Sequence, residues 1–111
     1  MIFRYSLREP SFSLVKNGIK TIEGRLFKNT FKKINKDDII NFYNYKKESI
    51  MTKVINIRKY NNFNIMIQNE NLKLLNPLSK STEESLNIYN KIYKCEDEIK
   101  YGVIALEIEL I

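Results

Sequence analysis

Four side chains with chemistry to offer, Lys20, Thr21, Glu23 and Arg25, fall in the stretch Val15-Lys16-Asn17-Gly18-Ile19-Lys20-Thr21-Ile22-Glu23-Gly24-Arg25-Leu26. A lysine acts as base or nucleophile when burial brings its pKa down toward about 7–8. A carboxylate beside it works the other way and holds the ammonium charged. In that state the pair suits recognition: a glutamate accepts from the amino group of cytosine, and a lysine donates to a carbonyl or ring nitrogen. Arg25 can pair with Glu23 or clamp a phosphate through parallel N–H bonds. The chain has no histidine and one cysteine, Cys95. His-dependent triads, His-ligated zinc, cysteine clusters and an internal disulfide are therefore excluded. No metal site and no cofactor are expected. The acidic run Glu96-Asp97-Glu98 beside Cys95 makes it a poor thiolate, because neighbouring negative charge raises a thiol pKa.

These residues need elements to hold them. Phe12, Leu14 and Val15 give a helical apolar face that opens after Arg8-Glu9-Pro10-Ser11, and Gly18 ends it as a left-handed cap. The pattern then becomes alternating and predicts a strand from Ile19 to Phe27. Ile19, Thr21, Glu23 and Arg25 point one way, and Lys20, Ile22, Gly24 and Leu26 the other. Such a polar face suits the wall of a cleft, because unpaired buried charge is costly. A solvated edge strand, or a salt-bridge network fixing a helix to the sheet, would show the same alternation.

The rest of the chain reads as strand 2–7, a basic loop with Lys28, Lys32, Lys33 and Lys36, strand 39–44 and a polar connection over 45–49. A long strand follows from Ile50 to Tyr60, with Ile50, Thr52, Val54, Asn56, Arg58 and Tyr60 on one face. Asn61 and Asn62 end that strand and cap a short helix, Phe63 to Glu70. Leu72 to Leu75 is a second apolar segment. Ser81 and Glu84 form a capping box for a further helix. Glu96-Asp97-Glu98 reads as a solvated helix end or loop. Gly102 leads into a last strand, Val103 to Ile111, with Glu107 and Glu109 on a wet face. The order β-α-β-β-β-α-α-α-β predicts an α+β fold: a small, mostly antiparallel barrel with short helices over one end.

At 111 residues, 43% of them hydrophobic, the chain reads as one domain over 1–111. No apolar run reaches the roughly 20 residues of a membrane helix. The N-terminus lacks a signal-peptide pattern, so an intracellular, cytoplasmic setting is expected. The formal charge of +6 favours a polyanion, although a Lys-, Asn- and Ile-rich composition produces such a charge without any partner. The expected partner is RNA or a nucleoside or nucleotide, with no membrane. Lys28, Lys32 and Lys33, with Arg8 and Arg25, are the candidate phosphate contacts. Tyr43 and Tyr60, together with Tyr5, are candidates for stacking on an unpaired base.

The Gly18–Leu26 stretch resembles the ASCH domain family of the PUA-like superfamily. The likeness continues through Leu7-Arg8-Glu9-Pro10, Ile34, Asp38-Ile39-Ile40-Asn41-Phe42, Tyr60, Phe63, Pro77, Tyr93 and Tyr101-Gly102-Val103-Ile104-Ala105-Leu106, nearly the whole chain. It looks most like the small stand-alone ASCH proteins of bacteria and archaea. The resemblance implies a PUA-like β-barrel with a cleft between barrel and helices, and RNA binding. Some ASCH proteins remove the acetyl group from N4-acetylcytidine, and others are described as ribonucleases. In the amidohydrolases a Lys, a Thr and a Glu carry the reaction. The resemblance places the Lys at Lys20 and the Glu at Glu70. Glu23 occupies the Thr position, with Thr21 the neighbouring Thr of the pattern, so a carboxylate stands where the catalytic hydroxyl would be. Asp37 stands where the family usually has Gly. The leading expectation is an RNA- or nucleoside-binding module. The alternatives are an amidohydrolase with Lys20 as base and Glu70 as proton shuttle, and a ribonuclease using the same cleft.

Overall fold

The computed structural model describes residues 1–111. Five strands form one curled sheet: β1 (Ile2–Ser6), β2 (Ile22–Leu26), β3 (Ile39–Tyr43), β4 (Ser49–Tyr60) and β5 (Val103–Leu110). Their spatial order is β1-β3-β4-β5-β2, so β1 and β2 are the two edges. The β1–β3 pair is parallel and the other three are antiparallel. Five short helices accompany the sheet: α1 (Ser11–Lys16), α2 (Phe63–Asn69), α3 (Leu72–Leu75), α4 (Thr82–Ile92) and α5 (Cys95–Tyr101). A 3-10 turn covers Asn29–Lys33. The fold is the expected α+β class, a half-barrel with helices. No helix is long and apolar enough to cross a membrane.

The sheet separates two apolar clusters. Phe3, Phe12, Val15, Phe42, Val54, Ile104 and Leu106 belong to the one inside the curl. Ile22, Leu26, Phe63, Met66, Tyr89, Val103 and Ala105 belong to the one under the helices. Alternate residues of β5 feed opposite clusters, so Val103–Leu106 are buried on both faces. The wet face expected of this strand is thus confined to Glu107 and Glu109, because α2 and α4 cover the rest.

Local signals position these elements. Gly18 follows α1 at φ +74°, the left-handed conformation that glycine adopts without steric cost. Asp37, at φ 76°, takes the same left-handed region, which a short polar side chain tolerates. The Asn62 side chain accepts from Ile65 N at 2.8 Å and starts α2. Ser81 Oγ accepts from Glu84 N at 3.1 Å and starts α4.

Three expectations are corrected. The second strand begins at Ile22 rather than Ile19, so Lys20 and Thr21 lie outside its alternation. The face assignment on β4 fails beyond Val54, because a register shift between Val54 and Asn56 leaves Ile55 unpaired. Such a bulge reverses the phase of everything after it. Val54 and Ile57 both face the inner cluster, and Tyr60 packs under the helices. Finally, Glu96-Asp97-Glu98 is the first turn of α5. Negative charge there complements the helix dipole, and Glu98 is buried, accepting from Phe63 N at the start of α2 at 2.9 Å.

Candidate functional site

Within β2 the alternation places Glu23 and Arg25 on the face opposite Ile22, Gly24 and Leu26. Their registered partners on β5, Leu106 and Ile104, belong to the inner cluster. The two charged residues therefore face the inside of the curl at its open edge. Arg25 Nε donates to Glu23 Oε2 at 2.8 Å, and Arg25 Nη2 donates to the Ser6 carbonyl on β1 at 2.9 Å. One guanidinium thus bridges the two edge strands. Gly24 allows this strand to lie close under the helices, since a Cβ there would meet Met66 Cε at 2.7 Å.

Lys20 is pulled inward from the connection before β2. Its ammonium donates to Ile22 O at 2.6 Å and to Leu75 O, and lies 3.4 Å from Glu23 Oε1. Leu75 ends α3, where carbonyls lack helical partners. Lys20 therefore ties that helix end to the start of β2. Its side chain is 2% exposed. Burial pushes the Lys20 pKa down, against the opposing pull of Glu23. Burial alone would raise the Glu23 carboxyl, but the charges of Arg25 and Lys20 outweigh it and hold the group below the usual carboxylate range. Thr21 is half-buried, its backbone bonded to Leu74 O and Ile108 N. Thr21 and Lys20 line a pocket of about 320 Å³ with Thr52 and Glu107.

Glu70 belongs to another cluster. Arg58 grips its carboxylate with Nε and Nη2, both at 2.7 Å, and the Tyr60 hydroxyl donates to Oε2. Arg58 Nη1 reaches Glu107 at 2.8 Å. Burial would raise Glu70, but the bonds from Arg58 and Tyr60 bring it below its ordinary value. Tyr60 is pushed up, first by burial and then by its hydrogen bond to the Glu70 carboxylate. Arg58 was not among the residues singled out from sequence; its spacing of two from Tyr60 on one strand was the available signal.

The Arg25 end of β2 is aromatic. Tyr5 and Phe31 stack with ring centroids 4.1 Å apart, and the Arg25 guanidinium lies over Phe31 at 5.5 Å. Tyr5 OH is bonded to Thr30 Oγ1 at 2.8 Å. Nearby, Arg8 and Tyr43 line a pocket of about 530 Å³ that includes Ser6, the residue whose carbonyl Arg25 holds. Arg4 lies over the Tyr43 ring at 4.7 Å. Lys32 and Lys33 are exposed at the end of the 3-10 turn, and Lys28 lies over Tyr101 at 5.4 Å. The structure thus gathers Lys20, Glu23 and Arg25 in one network and Tyr60 with Glu70 in a second. Arg8 and Tyr43 share a pocket, and Lys28, Lys32 and Lys33 follow the strand's far end.

The curled five-stranded sheet with helices on its outer face is consistent with the ASCH domain, a PUA-like fold generally linked to RNA binding. The model of the ASCH domain matches residues 6–111, and the chain belongs to that family. The chain is similar over its full length to the crystal structure of a hypothetical protein, PH0355, with 39% identity, full coverage of both chains and a TM-score of 0.92. The solution structure of protein PF0455 from Pyrococcus furiosus is 37% identical, with 100% of this chain and 98% of that one covered and a TM-score of 0.81. An ASCH domain from Lactobacillus crispatus shares the fold at 13% identity, with a TM-score of 0.56 over 98% of this chain and 79% of that one. No curated protein matches the sequence.

Proposed function

We propose that this chain binds an unpaired nucleobase of RNA, or a modified nucleoside, at the Arg25 end of β2, and that Lys20 and Glu23 hold that site in place rather than perform hydrolysis. The observation that carries the reading is the unspent donor edge of Arg25. Its Nε and one Nη2 proton are committed to Glu23 and Ser6, while Nη1 has no acceptor in the protein. The guanidinium lies over the Phe31 ring of the Tyr5–Phe31 stack. A planar cation next to aromatic rings suits an unstacked base or the phosphate attached to it. Arg8 and the exposed Lys32 and Lys33 add positive charge around it, with Lys28 close by.

Lys20 supports the same reading. Three acceptors surround its Nζ, which matches the three N–H bonds of an ammonium and leaves no direction for a basic lone pair. A hydrolytic base needs that lone pair within reach of substrate.

The test is calorimetric titration of cytidine, N4-acetylcytidine and a short single-stranded RNA, with chromatography to follow deacetylation. Binding without turnover is expected. Arg25→Lys should weaken it by on the order of tenfold, through loss of a charge-assisted hydrogen bond. Turnover that vanishes in Lys20→Ala would overturn the reading, as would binding indifferent to Arg25.

One observation favours the amidohydrolase alternative: burial pushes the Lys20 pKa down, the direction a catalytic lysine needs. That route requires Lys20 to leave both carbonyls and meet a substrate from a position that is almost wholly enclosed.

A further inference from the structure

A pocket of about 730 Å³ lies away from the Lys20–Glu23–Arg25 network, between the end of β4, α5 and the start of β5. Its volume is that of small-ligand sites in general. Phe27 and Tyr101 line it, and three lysines are placed over these two rings. Lys59 Nζ is 4.4 Å from the Phe27 centroid, and Lys28 and Lys100 are 5.4 and 5.2 Å from that of Tyr101. None of the three lysines has a carboxylate partner within ion-pair distance. Asn61, Asn64 and Asn90 also line the pocket, and their side chains form no hydrogen bonds within the protein. Here apolar faces, unpaired cations and unused amide groups meet in a concave surface.

We infer that this pocket is a second nucleotide subsite, which takes one base of a single-stranded RNA against Phe27 and Tyr101 and the flanking phosphates on Lys28, Lys59 and Lys100. The inference rests on the RNA-binding reading above and extends it along the strand. The orientation follows from charge. Glu98 is the one carboxylate lining the pocket, and it repels a phosphate placed inside. The base therefore enters and the phosphates stay on the lysine rim. Amide side chains such as Asn61 and Asn90 can both donate to and accept from a base edge. Base–aromatic stacking tolerates every base, so the subsite contributes affinity with little sequence preference.

The experiment measures binding of a fluorescent single-stranded RNA hexamer at a series of salt concentrations, for the wild type, Lys59→Ala/Lys100→Ala and Arg25→Lys. Each phosphate contact in a single strand contributes about 0.7 to the slope of log affinity against log salt. Losing two contacts should flatten the slope by about 1.4, which is a roughly sevenfold smaller response between about 50 and 200 mM salt. Binding of cytidine alone at the Arg25 site should be unchanged in the double-lysine variant. Tyr101→Leu should weaken hexamer binding by on the order of tenfold with the slope retained, since it removes stacking and leaves the charges. An unchanged slope in the double-lysine variant would overturn the subsite, and if Arg25→Lys still weakened binding the reading above would survive alone. A hexamer that fails to bind the wild type while cytidine binds would overturn the subsite equally. A steep hexamer response lost with the lysines but indifferent to Arg25 would leave this pocket standing and overturn the other site.

Discussion

Arg25 and Ser6 join the two free edges of the sheet: the guanidinium on β2 donates to the Ser6 carbonyl on β1 at 2.9 Å while holding Glu23 at 2.8 Å. The contact replaces, with one side chain, the backbone ladder that would close a full barrel. Removing the arginine leaves Glu23 buried with Lys20 as its remaining partner. Breaking a buried ion pair from one side costs about 3–5 kcal/mol. Arg25→Ala should therefore lose about 3 kcal/mol in urea unfolding, the lower end because Lys20 remains. A loss below about 0.5 kcal/mol, the level of ordinary surface changes, would show that the edges hold together without this contact.

The carboxylates give the fold an acid limit whose sign is fixed. Glu23 and Glu70 both have folded-state pKa values below the ordinary 4.5. The unfolded chain then binds more protons than the folded one as the pH drops through this range, so acid favours unfolding. Their contribution is fully present above about pH 5.5, begins to fall near 4.5 and is lost as the pH passes below the folded-state values. Urea midpoints measured from pH 3 to pH 7 should show this decline. Glu23→Gln should shallow it while lowering the plateau. A midpoint that stays level down to pH 3 in the wild type would contradict the charged network.

Lys20 binds one partner that no local pattern announces. Its Leu75 acceptor is 55 residues away, and neither residue carries a signal pointing to the other. The features legible in the sequence were local ones. Gly18 needed positive φ, Asn62 and Ser81 capped helices, and Glu23 and Arg25 shared one face of a strand. Features set by distant packing were not legible. The bulge at Ile55 depends on the fit of β4 against β5, and it alone decides that Ile57 rather than Asn56 joins Val54 inside. The burial of Glu98 depends on where α2 begins, because its target is the Phe63 amide. The family resemblance likewise put Glu70 with Lys20, whereas Arg58, brought close by that same long strand, holds it.

Lys20→Met tests the tie between α3 and β2. The substitution keeps the volume of the chain but leaves the Leu75 and Ile22 carbonyls without this donor, and each buried unsatisfied group costs about 1–3 kcal/mol. The expected result is a loss of about 2–4 kcal/mol, from two such acceptors partly relieved by the removal of a buried charge. Amide exchange should speed up first at Leu75 and Asn76, whose amides close α3. Uniform exchange across the whole chain, with no early opening there, would place the contribution of Lys20 elsewhere.

Arg58 and Glu70 form the second ion pair, and its geometry sets a different expectation from that of Arg25. Arg58 presents two parallel N–H bonds to one carboxylate and a third to Glu107, and its own side chain is 31% exposed. Replacing it with lysine keeps the charge but loses the planar fork. Arg58→Lys should lower stability by about 1–2 kcal/mol, since one or two hydrogen bonds to charged groups are lost while the lysine still neutralises Glu70 and water reaches the site. Tyr60→Phe should cost less, about 1 kcal/mol, because Arg58 continues to satisfy Glu70. The double variant decides whether the cluster acts as one unit. A combined loss that differs from the sum of the single losses by more than about 0.5 kcal/mol signals coupling through the shared carboxylate, whereas strict additivity would mean that Arg58 and Tyr60 hold Glu70 independently.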